Sequence, residues 1–160
     1  MDLSNIKLIV SEVDGIVTEH TSAIGEAGIT MFKTYNMKDF EAINRIKKHC
    51  GFTFLSSDAA ISMSLCRAKN IPFYHAKGNK RRMLANDLLR RYTVSPEEVI
   101  YIGSSYSDID CTNLIPFSMC PEDAIYEVKE LSQMVIPHLS GTGVLCWLNK
   151  FLNDNRGMNA

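Results

Sequence analysis

Apolar residues along the chain fall into short runs separated by longer amphipathic stretches. "IKLIV" (6–10) is compact and β-branched, as a strand buried on both faces of a parallel sheet requires. Similar runs recur at "FTFLS" (52–56), "VIYIG" (99–103), "FSMC" (117–120) and "MVIP" (134–137). Between them, 37–49 places Phe40, Ile43 and Ile46 at helical spacing, and 80–91 does the same with Met83, Leu84, Leu88 and Leu89, each opposite Lys and Arg. Strand alternating with helix predicts an α/β fold, a three-layer sandwich around an open, mainly parallel sheet.

Local signals refine the pattern. "SPEE" (95–98) combines a capping Ser95, Pro96 at the first helical position and Glu98 able to reach back, which predicts a short helix before the next strand. Pro121 with Glu122 and Asp123 predicts another helix start. Leu145, Trp147, Leu148 and Phe151 form the apolar face of a terminal helix. The alternation breaks at 18–36, "TEHTSAIGEAGITMFKTYN", where two short extended runs flank "GEAG" and predict an inserted β-hairpin.

Length and composition bound the rest. The 160 residues predict one domain over 1–160, and 46% apolar with 22% charged residues is ordinary for a globular protein. Seventeen basic against eighteen acidic side chains leave a net charge of −1, so no overall field draws the chain to nucleic acid or anionic lipid. Cys50, Cys66, Cys111, Cys120 and Cys146 lack metal-ligand or redox spacing and read as small reduced core residues. His20, His49, His75 and His138 share no spacing and receive no chemistry. The start "MDLSNIKLIV" has an acid where a secretion signal carries basic residues, and no run approaches the ~18 apolar residues of a membrane span. The expected location is cytoplasmic.

In a doubly wound sheet, ligands sit beyond the carboxyl ends of the strands. There the sequence offers Glu12 and Asp14, Ser56 and Ser57, and Ser104, Ser105 and Asp108, with Lys80 opening a helix nearby. Carboxylates suit Mg²⁺, a hydroxyl and an ammonium suit phosphate oxygens, and one acid suits proton transfer, so together they form a set for phosphoryl transfer.

The motifs resemble those of the haloacid dehalogenase superfamily: "LIVSEVDGIVT" its first motif, "FLSSD" its second, Lys80 of "KGNKRRML" its third and "YIGSSYSD" its fourth. The hairpin, the following "YNMKD" and the late "SGTG" further resemble the 3-deoxy-D-manno-octulosonate 8-phosphate phosphatases and related sugar-acid phosphatases. The resemblance implies a Rossmann-like sandwich without a large cap domain, Mg²⁺ as cofactor, and a homotetramer assembled through the hairpin at 18–36, the flap. It also implies a phosphorylated 3-deoxy sugar acid or similar small phosphate ester as ligand. Glu12 falls at the position of the nucleophile, Asp14 at that of the acid, and Ser56 and Lys80 at those that hold phosphate. Lys38, Asp39 and Ser57 fall at substrate-facing positions, and Glu12, Asp14 and Asp108 at a metal site.

The chain also departs from that pattern. The attacking acid of the family is an aspartate; Glu12 adds a methylene that moves the attacking oxygen by on the order of 1 Å, a displacement that costs about a hundredfold in rate. Where the fourth motif reads G-D-D-x-x-x-D or close to it, Ser104 and Ser105 stand, and a neutral hydroxyl is a poor ligand for a hard divalent ion. Asp58 replaces the arginine of the second motif and would repel a phosphorylated acid, Phe40 replaces a glycine, and Cys146 stands where an arginine is usual.

Individual residues keep alternatives. Glu12 reads as replacement nucleophile, residual metal ligand or polar filler, and Asp14 as vestigial acid or a cap on loop amides at Gly15. Lys80 reads as a phosphate holder or the partner of Glu12 or Asp14 in a salt bridge. Ser104 and Ser105 read as caps of the next helix, and "KGNKRR" as a solvated helix start. Two functions follow: a catalytically degenerate member kept as an oligomeric binding, regulatory or assembly protein, or a weak or altered Mg²⁺-dependent phosphatase.

Overall fold

The computed structural model describes residues 3–59, 61–78 and 80–155, with the side chains of Lys80, Met83 and Leu84 outside that description. Six strands, β1 (Leu8–Ser11), β4 (Gly51–Ser56), β5 (Phe73–His75), β6 (Val99–Ile102), β7 (Phe117–Pro121) and β8 (Met134–Ile136), form one sheet. The remaining two, β2 (Ala23–Ile24) and β3 (Thr30–Phe32), pair antiparallel as a separate hairpin. The helices are α1 (Met37–Ile46), α2 (Ser62–Ala68), α3 (Lys80–Tyr92), α4 (Ile109–Leu114), α5 (Tyr126–Leu131) and α6 (Val144–Asn155).

All pairings in the larger sheet are parallel, in the order β5-β4-β1-β6-β7-β8. The chain therefore winds outward from β1 to one edge, returns to β6 on the other flank of β1, and winds to the opposite edge. That reversal beside β1 opens a crevice at the carboxyl ends of β1, β4 and β6.

Strand periodicity sends alternate residues of β1 to opposite layers. Ile9 packs with Phe40, Ile43 and Ile46 of α1 and Val144, Leu145 and Leu148 of α6, while Leu8 and Val10 pack with Ala85 and Leu88 of α3 and Cys111 of α4. Both faces are thus covered, which explains why "IKLIV" is continuously apolar rather than alternating. Asn36 starts α1 by accepting the Lys38 amide on its side chain.

Some boundaries differ from those expected. α1 stops at Ile46 rather than 49 because the amides of Lys48 and His49 bond back three residues and tighten the last turn. The capping box at Ser95 opens a 3₁₀ turn, Pro96–Glu98, in which the Ser95 amide donates to Glu98 Oε2 at 2.9 Å. Pro121 starts no helix: it ends β7 in register with Ile136, and α5 begins only at Tyr126. The expected contributions of Met83 and Leu84 to α3 lie outside the described side chains, whereas Leu88 and Leu89 are buried. α2, α4 and the edge strand β5 carried too short a pattern to be expected. The cysteines at 50, 66, 111, 120 and 146 are all free thiols.

Candidate active site

β1 ends at Ser11, and the next residue turns its carboxylate into the interior. The Glu12 amide still donates to Ile102 O at 2.9 Å, so sheet pairing with β6 holds its backbone, while Oε1 accepts from the Val13 amide at 2.8 Å. Its other oxygen, Oε2, is ion-paired to Arg81. Glu12 is 2% exposed and Arg81 0%, so this contact is shut off from solvent.

Arg81 sits in the first turn of α3. Its Nη2 also donates to Asp108 Oδ1 at 2.8 Å, to Leu55 O at 2.9 Å and to the Tyr101 hydroxyl at 3.1 Å, and its Nη1 donates to Ser107 Oγ at 3.1 Å. Asp108 completes the cluster: Oδ1 accepts from the Tyr101 hydroxyl, and Oδ2 from the amides of Ser104 and Ser105, each at 2.9 Å. Close approach here depends on Gly103, because a Cβ at that position would lie 2.5 Å from Asp108 Cγ. Burial pushes the Glu12 carboxyl up from 4.5 to about 7, with Asp108 adding to the shift and Arg81 opposing it.

The second acid of the loop is held from the other side. Lys33, just beyond β3, donates from Nζ to Asp14 Oδ1 and Oδ2 at 2.9 and 2.8 Å, and pairs with Asp58 Oδ2 at 2.6 Å. Its side chain is 2% exposed. Thr18 Oγ1 donates to Asp14 Oδ1 at 3.3 Å and accepts from the Gly15 amide at 3.3 Å. The loop amide at Gly15 is therefore satisfied by Thr18, not by Asp14. A small cavity of about 130 Å³ remains, lined by Glu12, Asp14, His20, Ser22, Lys33, Ser57, Asp58 and Ser105.

Ser56 is buried and exchanges hydrogen bonds with the backbone of Asp58, accepting its amide at 3.2 Å, and Ser57 O contacts His75 Nε2 at 3.1 Å. Ser105 caps the 3₁₀ turn Tyr106–Asp108, and Ser104 Oγ donates to Asp14 O at 3.2 Å, tying the fourth motif to the first. Lys38 is exposed. Asp39 points elsewhere: it is fully buried and its Oδ1 accepts the amides of Leu145 and Cys146, each at 2.9 Å, capping α6. The Lys80 side chain lies outside the described residues.

Glu12 is thus ion-paired to Arg81 and Asp14 to Lys33, the expected pairing of either acid with Lys80 lies outside the described side chains, and "KGNKRR" is not wholly solvated, since Arg81 is buried. Neither Arg81 nor Lys33 is among the residues to which the motifs point. For Arg81 a signal existed: three cations in the first turn of α3, with no acid there, oppose the helix dipole and imply carboxylates close by. For Lys33 none existed, since its partners lie far along the chain.

A family profile described as haloacid dehalogenase-like hydrolase matches residues 9–148. The chain belongs to that family. Its curated relatives include the 3-deoxy-D-manno-octulosonate 8-phosphate phosphatase of Escherichia coli K12, 23% identical over 127 residues. That match covers 75% of this chain and 64% of the relative, so the chain spans under two thirds of the length of the curated proteins it matches. Among solved structures, the cobalt-bound deoxy-D-mannose-octulosonate 8-phosphate phosphatase of Haemophilus influenzae superposes with TM-score 0.89 at 23% identity, covering 98% of this chain and 92% of that one. The Moraxella catarrhalis 3-deoxy-D-manno-octulosonate 8-phosphate phosphatase, solved with magnesium, phosphate and KDO, gives TM-score 0.87 at 13% identity, covering 98% and 90%. These likenesses establish the haloacid dehalogenase-like fold.

Phosphatases of this family use Mg²⁺, and the residues here do not fit it. The carboxylates of Glu12 and Asp108 are both ion-paired to Arg81, and that of Asp14 to Lys33. Among the described residues no group of three or more His, Cys, Asp or Glu is arranged to hold a metal. No helix among them is long and apolar enough to cross a membrane.

Proposed function

We propose that this haloacid dehalogenase-like protein is a catalytically degenerate relative of the sugar-acid phosphate phosphatases, retained as an oligomeric binding, regulatory or assembly protein. The observation that carries the reading is that both acids of the first motif are ion-paired within the chain, Glu12 to Arg81 and Asp14 to Lys33. A nucleophile must reach phosphorus in line, and a general acid must reach the leaving oxygen. Glu12 is buried behind an extra methylene, Asp14 is held by the flap, and Ser104 lacks the charge that would help recruit Mg²⁺.

The cavity adds a second argument. Glu12, Asp14 and Asp58 line it against Lys33, so its carboxylates weigh against a phosphorylated ligand. The retained role then falls to the hairpin, where Ile24, Ile29, Met31 and Phe32 are each 59% exposed or more. Such apolar surface favours a partner, and four copies of this chain are the assembly the family resemblance implies.

The test is a phosphatase assay on 3-deoxy-D-manno-octulosonate 8-phosphate and on an aryl phosphate, with and without Mg²⁺. No turnover above the blank is expected. Metal-dependent turnover abolished by Asp14→Asn would overturn the reading in favour of a weak Mg²⁺-dependent phosphatase using Glu12, Asp14, Lys80 and Asp108. For the assembly, light scattering is expected to return four times 18.0 kDa, and a mass of one chain would remove it.

A further inference from the structure

We propose that a groove at the amino ends of β4 and β5, at the opposite end of the sheet from the candidate active site, binds a small organic phosphate carried on a flat ring, of the nucleotide kind. The proposal uses none of the acids of the first motif and stands apart from the degenerate reading above.

The groove has the size and lining of a ligand site. Its volume is about 480 Å³, within the range of small-molecule pockets. Five segments wall it: Lys47 follows α1, Phe52 begins β4, Arg67 lies in the last turn of α2, Ile71 and Pro72 lead into β5, and Tyr92 ends α3. Phe52 and Ile71 are buried and Tyr92 is half-buried, so the floor is apolar and partly aromatic, while Lys47 and Arg67 are exposed. Among the described residues lining it there are two cations and no acid, a balance that favours an anion.

Cations beside a helix end ordinarily answer the open carbonyls of its last turn. Here the backbone answers most of them. The amides of Lys47, Lys48 and His49 return to the carbonyls of Ile43, Arg45 and Ile46, and those of Lys69, Asn70 and Ile71 return to Leu65, Arg67 and Cys66. Asn70 adopts φ +52° in closing the second turn. Lys47 Nζ donates to Asn70 O at 2.7 Å, which ties the end of α1 to that turn and leaves two further protons on the ammonium. Nearby cations are engaged: Lys69 lies over the Phe40 ring, Arg91 over the Tyr74 ring, and Arg90 pairs with Asp87. Arg67 differs, because among the described residues its guanidinium makes no ion pair, hydrogen bond or ring contact. A guanidinium fork open to solvent above an apolar floor suits a phosphate, to which it donates in pairs, and the Tyr92 ring beside it suits a flat apolar body.

The experiment titrates the full chain with adenosine 5′-monophosphate, read by calorimetry and by amide chemical shifts. One equivalent should bind per chain, more weakly as salt is raised, and should shift the amides of Gly51, Arg67 and Asn70 rather than those of Ser57 and Ser105. Adenosine and inorganic phosphate should each bind at least about tenfold more weakly, since one lacks the charge and the other the ring. Arg67→Gln changes an exposed side chain and should weaken binding by about tenfold, with Lys47→Gln adding to the loss in the double variant. Tyr92→Leu should weaken the nucleotide but not inorganic phosphate. No binding by the wild type would overturn the proposal, as would full affinity in the double variant, inorganic phosphate binding as tightly as the nucleotide, or shifts confined to Ser57 and Ser105. Hydrolysis of the nucleotide would overturn only the degenerate reading, so the two failures are distinguishable.

Discussion

Lys33 and Asp14, nineteen residues apart in the chain, form a two-point ion pair in which the Lys33 ammonium donates to both carboxylate oxygens at 2.9 and 2.8 Å. Asp58 holds the same ammonium from the other side at 2.6 Å. One buried side chain thereby fastens the end of the hairpin to the loops after β1 and β4.

Lys33→Met should release that fastening. Removing the cation leaves Asp14 and Asp58 facing each other, at a cost of about 1–3 kcal/mol, below the value for a wholly buried pair because Asp58 is partly exposed. Hydrogen exchange should show faster amides across 18–36 with little change in β1, β4 and β6.

Gly15→Ala should be severely destabilising. The backbone there has φ +82°, and a Cβ would lie 2.1 Å from Ser104 Oγ and 2.7 Å from His20 Nδ1. A positive φ with a steric clash costs about 2 kcal/mol or more. Urea unfolding of Gly15→Ala with Ser104→Ala should recover part of the loss, since only the hydroxyl contact is relieved.

Asp39→Ala should lower stability by about 1–3 kcal/mol through loss of two amide bonds at the start of α6. Asp39→Asn should cost less, because its side-chain oxygen can still accept from the same amides. Thermal unfolding would show the order, and light scattering should give the same mass for both variants as for the wild type.

Stability should fall as pH rises from about 4.5 to about 7. The Glu12 carboxyl lies near 4.5 when unfolded and is pushed up to about 7 by burial when folded. Within that window the folded chain holds a proton that the unfolded chain has lost, so raising the pH favours unfolding; above about 7 this contribution is constant. The drop is bounded at about 3 kcal/mol, from 1.36 kcal/mol per pKa unit. Denaturant titrations at stepped pH should show it, and Glu12→Gln should flatten the curve across the window.

Much of the fold was readable before any coordinates. "IKLIV" announced a strand covered on both faces, and "GEAG" a turn that Gly25 and Gly28 close with a backbone bond at 2.9 Å. The signals that failed were those that depend on more than a few neighbours. Pro121 resembles a helix start until Ile136 is seen beside it in the sheet. Asp39 resembles a substrate contact until the amides of Leu145 and Cys146 arrive from the far end of the chain.

The sequence by itself determined the alternating strands and helices, the family motifs and the place of Glu12, Asp14 and Asp108 at strand ends, because apolar period and motif spacing are local properties. Only the tertiary structure decided which charges meet. Lys80, Arg81 and Arg82 are adjacent cations, but an α-helix rotates by about 100° per residue, so docking α3 on the sheet turns Arg81 inward while Arg82 is exposed. Lys33 meets Asp14 because the end of the hairpin returns to the loop after β1. Those two pairings, set by packing and not by motif, occupy both acids of the first motif.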